Sequence, residues 1–326
     1  MLIWSLLACS SAPVAIHLEA LTLAEVSGVE RAPVSDWTYV RKGELSASAI
    51  ASCKKGDLSG LDLGYAVVEV RPTDIWFDGT RVAEAGAPSI VNDGTVVTAL
   101  KDRVKEAIAS NAAARDAGCL VGRPDEVLLA VDASVAAARV RSVMYSLGQA
   151  GVGAYALMVR DDAAAPQRAA APGPLSAPTA TVVVSKDALS VVAVSGGETK
   201  VYPRGDLRGA ADGVAASLGA TRSVLLLVDG TAGDALVVHG ALRRAGLWPV
   251  WAGPTGESGV TAGPAPAGAQ ASTASAQDIG PTDTVAVLTM DPRQLPELPV
   301  LEQPQSKLLE MLAAPETDAA VLPGTP

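Results

Sequence analysis

Three cysteines (Cys9, Cys53, Cys119) and two histidines (His17, His239) leave little material for metal or nucleophile chemistry in this 326-residue chain. Their spacing supports little chemistry. The sequence has no Cys-x-x-Cys pair and no His-Glu-x-x-His helix, so the common zinc arrangements lack a ligand set. It has no Gly-x-Ser-x-Gly elbow and no phosphate loop. Gly148-x-x-Gly151-x-Gly153 comes at the end of a helical stretch and before a strand. A dinucleotide fingerprint needs the opposite order, so these glycines read as a helix stop and turn. His239 has no second histidine near it in sequence and reads as a packing residue. Asp229 and Asp234 lack the alternating oxygen ligands of a calcium loop. No cofactor and no metal is expected, and the chain reads as a non-enzyme.

Four residues remain as candidate contact residues. Asp132 and Asp229 end equivalent strands just before helices, where capping is the ordinary role and binding the alternative. Trp248 and Trp251 share one strand. Half-buried packing is the ordinary reading there, and an exposed aromatic contact with a glycan or a protein is the other.

Cys9 offers a different chemistry. It closes Leu6-Leu7-Ala8-Cys9 after the short apolar run from Leu2 to Ala8, which resembles a bacterial lipobox. The resemblance implies that residues 1–8 are removed and that Cys9 is lipidated, with Ser10 rather than Asp favouring the outer membrane. Acyl chains, at about 0.8 kcal/mol per buried CH₂, hold a folded domain on a membrane without a spanning helix. One feature departs from the pattern: the first basic residue is Arg31, so no positive charge precedes the apolar run. No other stretch reaches the ~18–20 apolar residues of a transmembrane helix. Export, with Cys9 consumed by lipid, leaves Cys53 and Cys119 to form a disulfide or to remain as two inert buried thiols.

These residues must be positioned by a chain of about two domains' length. Acidic residues outnumber basic ones by 35 to 25, for a net charge of −10, which excludes a nucleic-acid or anionic-lipid surface. Hydrophobic residues make up 49% and aromatic ones 3%, so the cores are built of Ala, Val and Leu, as small helices on a sheet require. Residues 9–63 show no clear pattern. From Tyr65 the elements sharpen: a strand at Ala66–Val70, a hairpin or meander through Ile75–Phe77, Asp78-Gly79 and Thr80–Val82, then a helix over 95–114. Val97, Leu100, Val104 and Ile108 place one apolar stripe on that helix. Val127–Val131 is continuously apolar, as in a strand covered on both faces. Asp132 and Ser134 offer caps for a second helix bearing Val140, Val143, Met144 and Leu147, which ends at Ala150-Gly151 before a closing strand over 154–159.

The same order then returns. Val224–Asp229 matches Val127–Asp132 in five of six positions, and Thr231 stands where Ser134 stood, 97 residues on. The next helix carries Val238, Leu242 and Ala245 and ends Ala245-Gly246, 95 residues after Ala150-Gly151. Strand, cap, stripe and stop recurring in register predict an internal duplication. Between and after the copies lie Ala-, Pro- and Gly-rich stretches at 163–179 and 254–282. One strand, at 284–289, stands isolated before a proline-rich tail.

The repeated unit resembles the periplasmic domain of the ExbD/TolR biopolymer-transport family. The likeness rests on Val127–Asp132 with Leu147–Gly151, and on Val224–Asp229 with Leu242–Gly246. Members of that family carry an N-terminal transmembrane helix with a proton-linked aspartate, which this sequence lacks. The resemblance therefore implies the domain's envelope role without proton transfer by this chain. The expected fold is α+β: two tandem ExbD/TolR-like units, at 64–162 and 180–253, each a small mixed sheet with two helices on one face. Residues 283–326 follow as a strand plus tail. The expected function is that of a non-catalytic accessory protein on the periplasmic side of the envelope, contacting envelope proteins or peptidoglycan, with the two units paired as an intrachain pseudo-dimer. The alternatives are a structural lipoprotein without a transport link and a small-molecule-binding domain.

Overall fold

The computed structural model describes residues 16–18, 21–26, 29–41, 45–58, 60–84, 96–119, 121–123, 125–161, 180–184, 188–193, 200–203, 209, 213, 223–228, 230–252, 277–279 and 283–290. The fold is mixed α+β. At its centre β6 (Val67–Val70), β9 (Glu126–Val131) and β10 (Ala154–Asp161) run parallel, with β9 in the middle. All six residues of β9 are buried, because both of its faces are covered. On one face Val127, Leu129 and Val131 pack with Val68, Val70 and Leu157 under α2 (Thr98–Asp116) and α3 (Ala137–Ala150). The helices contribute Leu100 and Val104, then Val140, Val143, Met144 and Leu147, so the expected stripes point inward. Gly151, at φ +100°, stops α3 in the left-handed conformation that only glycine adopts without cost.

The opposite face is covered by the segment whose sequence showed no pattern. Leu128, Ala130, Ala156 and Met158 lie under Leu21, Val34, Trp37 and Tyr65. Within this N-terminal cover, a 3₁₀ turn (Val34–Trp37) follows β3 (Glu30–Pro33). Then come β4 (Thr38–Val40), α1 (Ala47–Cys53) and β5 (Leu63–Tyr65), with β4 and β5 paired as an antiparallel ribbon. Such short elements carry no long periodicity, which is why the sequence left them unread.

β7 (Asp74–Phe77) and β8 (Thr80–Glu84) form the expected hairpin, with Asp78 and Gly79 both at positive φ. A second sheet contains β11 (Ala180–Val184), β12 (Ala188–Ala193), β13 (Lys200–Pro203), β14 (Ser223–Val228) and β15 (Trp248–Ala252), ordered β13-β12-β11-β14-β15. Its order and strand directions match those of β8-β7-β6-β9-β10 in the first sheet. α4 (Ala232–Arg244) packs on β14 through Ala235, Val238, Ala241 and Leu242.

The strand expected to be isolated is not. β17 (Thr284–Met290) lies antiparallel between β10 and β3. Val285 and Val287 face the N-terminal cover while Leu288 and Met290 face the helices, the alternation a doubly covered strand requires. β10 and β17 are neighbours in space, so the second sheet is inserted in the chain between two adjacent strands of the first. β1 (Ile16–Leu18) and β16 (Gln277–Ile279) pair as a separate ribbon, and β2 (Glu25–Val26) runs parallel to the end of β10.

Candidate functional site

The two sheets meet where α3 and α4 begin. A helix start leaves main-chain N–H groups without an intrahelical acceptor, and here each start supplies acceptors to the other. Ala137 donates to the Gly230 carbonyl at 2.9 Å, while Ala232 donates to Val135 at 2.7 Å and Gly233 to Ala133 at 2.9 Å. Ala136 and Thr231 form the antiparallel bridge at the centre. The contacts are reciprocal: Ala137 lies in the core of the second sheet, and Ala232 and Leu236 lie in that of the first. Arg141, buried on α3, donates to the Val228 carbonyl at 3.1 Å. Such close main-chain approach demands small residues. A Cβ on Gly233 would stand 3.0 Å from the Ala133 Cβ and 3.1 Å from its carbonyl oxygen.

Asp132 does not cap α3. The residue before that helix is Ala136, and no side chain caps it; the Gly230 carbonyl serves in its place. Asp132 is 7% exposed. Its Oδ2 accepts from the Thr22 main chain at 2.9 Å, and its Oδ1 accepts from the Ser134 N–H and hydroxyl. It therefore ties the N-terminal cover to the loop between β9 and α3. Beside the second sheet Thr231 caps α4 in a reciprocal capping box with Asp234. Asp234 thus sets a carboxylate in the first turn of α4, where the helix start carries partial positive charge. Asp229, the other candidate carboxylate, lies outside the described residues, as does Cys9.

Trp248 and Trp251 do not form an exposed pair. Side chains three apart on a strand leave opposite faces. Trp248 is buried, with the Arg243 guanidinium 4.0 Å from its ring centre. Trp251 is half-buried, packs against both main cores and donates to His239 Nδ1 at 3.0 Å. His239 is fully buried, and burial, reinforced by Arg243, pushes its pKa down to about 3. Cys53 and Cys119 are joined as a disulfide with their Cα atoms 5.4 Å apart.

Two arrangements had no reading at the level of sequence. Asp78 accepts from Tyr39, from the Tyr65 main chain and from Arg41 through both oxygens, clamping the N-terminal ribbon to the β7–β8 turn. Burial and the Asp78 carboxylate push the Tyr39 hydroxyl pKa up. Gly64 leaves room for the clamp, since a Cβ there would stand 2.6 Å from Asp78 Oδ2. Glu69 and Arg71 form a buried ion pair, with Arg71 also stacked 4.2 Å from the Trp76 ring centre. Glu69 within an otherwise apolar strand, with Arg71 directly after the strand's end, was the available signal for this pair.

Among the described residues no three His, Cys, Asp or Glu side chains form a metal-binding group, and no helix is long and apolar enough to cross a membrane. The arrangement joins two similarly ordered sheets through reciprocal helix starts, with one sheet covered by the chain's own N-terminal segment. Compared with protein-family models, curated proteins and solved structures, the chain matches none.

Proposed function

We propose that the chain is a non-catalytic accessory protein on the periplasmic side of a cell envelope, held at the outer membrane by lipid on Cys9. In this reading it contains two units similar to the periplasmic domain of ExbD/TolR biopolymer-transport subunits, the second inserted between β10 and β17, and it acts through contacts with envelope proteins or peptidoglycan. The observation that carries the reading is the identical order and direction of strands in β8-β7-β6-β9-β10 and β13-β12-β11-β14-β15. The reciprocal contacts at the α3 and α4 starts support pairing of the two units as an intrachain pseudo-dimer, in the manner of an isologous interface. The disulfide fits an oxidising compartment.

Fatty-acid labelling and membrane fractionation in a bacterial host test the anchor. The wild-type chain takes the label and sediments with membranes, and Cys9→Ala does neither; equal behaviour of the two removes the lipoprotein claim. Co-sedimentation of the full chain with purified peptidoglycan tests the contact role, and its absence leaves only protein partners.

A further inference from the structure

The N-terminal cover is fastened at its far end by one covalent bond. Cys53 closes α1, and Cys119 follows α2, 66 residues later. Around the disulfide lies a small apolar cluster of its own: Val40, Leu61, Ala114 and Val121 are buried, with Leu45, Ala49, Leu58 and Leu63 partly buried. Apart from Ala114, Cys119 and Val121, every member of this cluster comes from residues 40–63. The elements in that lobe cannot stand by themselves. α1 has seven residues, well short of the ~12–15 at which an isolated helix becomes even marginal. The short β4–β5 ribbon at the base of the lobe is held separately, since Asp78 ties it to the β7–β8 turn. A lobe with so small a core depends on a staple.

We propose that the Cys53–Cys119 disulfide is a redox latch: oxidised, it holds the α1 lobe on the end of α2; reduced, it releases that lobe while both sheets stay folded. Release is local because the rest of the cover has separate fastenings. β3 pairs with β17, Asp78 holds Tyr39 and Arg41, and the Asp36 carbonyl accepts from the Arg123 main chain at 2.7 Å. The reductant is a dithiol. One of its thiolates attacks either protein sulfur to give a mixed disulfide and one cysteine thiolate. Its second thiol then displaces the other cysteine, so two electrons and two protons pass to Cys53 and Cys119 and the dithiol leaves as a cyclic disulfide. Both cysteines are buried, so attack awaits opening of the lobe. The inference rests on the disulfide and its cluster and is independent of the lipid anchor.

Lys54 and Lys55, exposed directly after Cys53, provide the readout. The full chain is incubated with trypsin with and without dithiothreitol, and the Cys53→Ser/Cys119→Ser double variant is treated in parallel. Alkylation and intact mass count the free thiols, and hydrogen exchange is followed in β9 and β14. Reduction is expected to speed cleavage after Lys54 or Lys55 at least ten-fold, with the double variant cut equally fast and exchange in β9 and β14 unchanged. Unchanged cleavage in the reduced chain and the double variant would show that packing alone holds the lobe, overturning the proposal. A matching rise of exchange in β9 and β14 would overturn it too, since the bond would then staple the whole fold. Finding both thiols free in the chain before reduction, after oxidative refolding, would also reject it.

Discussion

His239 shows how a residue with catalytic potential becomes a packing residue. Its Nδ1 accepts from Trp251, and its Nε2 has no hydrogen-bond partner among the described residues. Burial and the nearby Arg243 keep the ring neutral down to about pH 3. An unfolded histidine takes up its proton near pH ~6.5. Between those two values the unfolded chain binds more protons than the folded one, so acid favours unfolding. The contribution of the neutral ring is complete above pH ~6.5 and is lost as pH falls, at up to about 1.4 kcal/mol per pH unit. Urea denaturation at pH 7 and pH 5 is therefore expected to cost the wild type about 2 kcal/mol more than His239→Gln. Equal losses in the two proteins would show that the ring is not the acid-sensitive group.

At the scale of elements, the join between α3 and α4 depends on the absence of side chains. Gly233 is a poor helix former, and replacing such a glycine with a better one ordinarily gains up to about 1 kcal/mol. Here the space is already filled by Ala133. Gly233→Leu is expected to lose about 1–3 kcal/mol through overpacking, and Ala133→Gly in the same chain to recover part of that loss. A double-mutant cycle measured by urea midpoints checks the contact. Additivity within about 0.5 kcal/mol would mean that the two positions do not press on each other. The same join explains why α3 needs no capping side chain: Gly230 supplies the acceptor that a serine or aspartate supplies elsewhere.

At the scale of the molecule, β17 makes the chain return to the first sheet after completing the second. Residues 180–252 are therefore tied to the first sheet covalently on both sides, and packed against it through Ala137, Ala232, Leu236 and Trp251. Arg243 reaches Glu30 of the N-terminal cover at 3.6 Å, adding an ion pair to that packing. Protease sites introduced within 163–179 and 253–276 test how far the packing suffices. After cleavage at both, the fragments are expected to co-elute on native size-exclusion chromatography and to separate only in denaturant. Separation under native conditions would assign the association to the covalent links.

Much was legible from sequence: the stripes of α2 and α3 and the doubly covered β9 from their apolar patterns, and the Asp78-Gly79 turn from its residue types. Periodicity reports burial, and burial over a dozen residues leaves a pattern that one chain suffices to display. The N-terminal cover, the place of β17 and the roles of Asp132, Trp248 and Gly233 were decided by tertiary structure alone. The elements of the cover are too short to show a period, β17 was legible as a strand but not in its neighbours, and the partners of both lie far away in sequence: Cys53 from Cys119, β3 from β17, Thr22 from Asp132. Asp132 stood where a helix cap was expected, but α3 begins only at Ala137, and the carboxylate accepts from Thr22 and Ser134 instead. Local chemistry limits what a residue can do, and the partner that the fold brings to it decides which of those things it does.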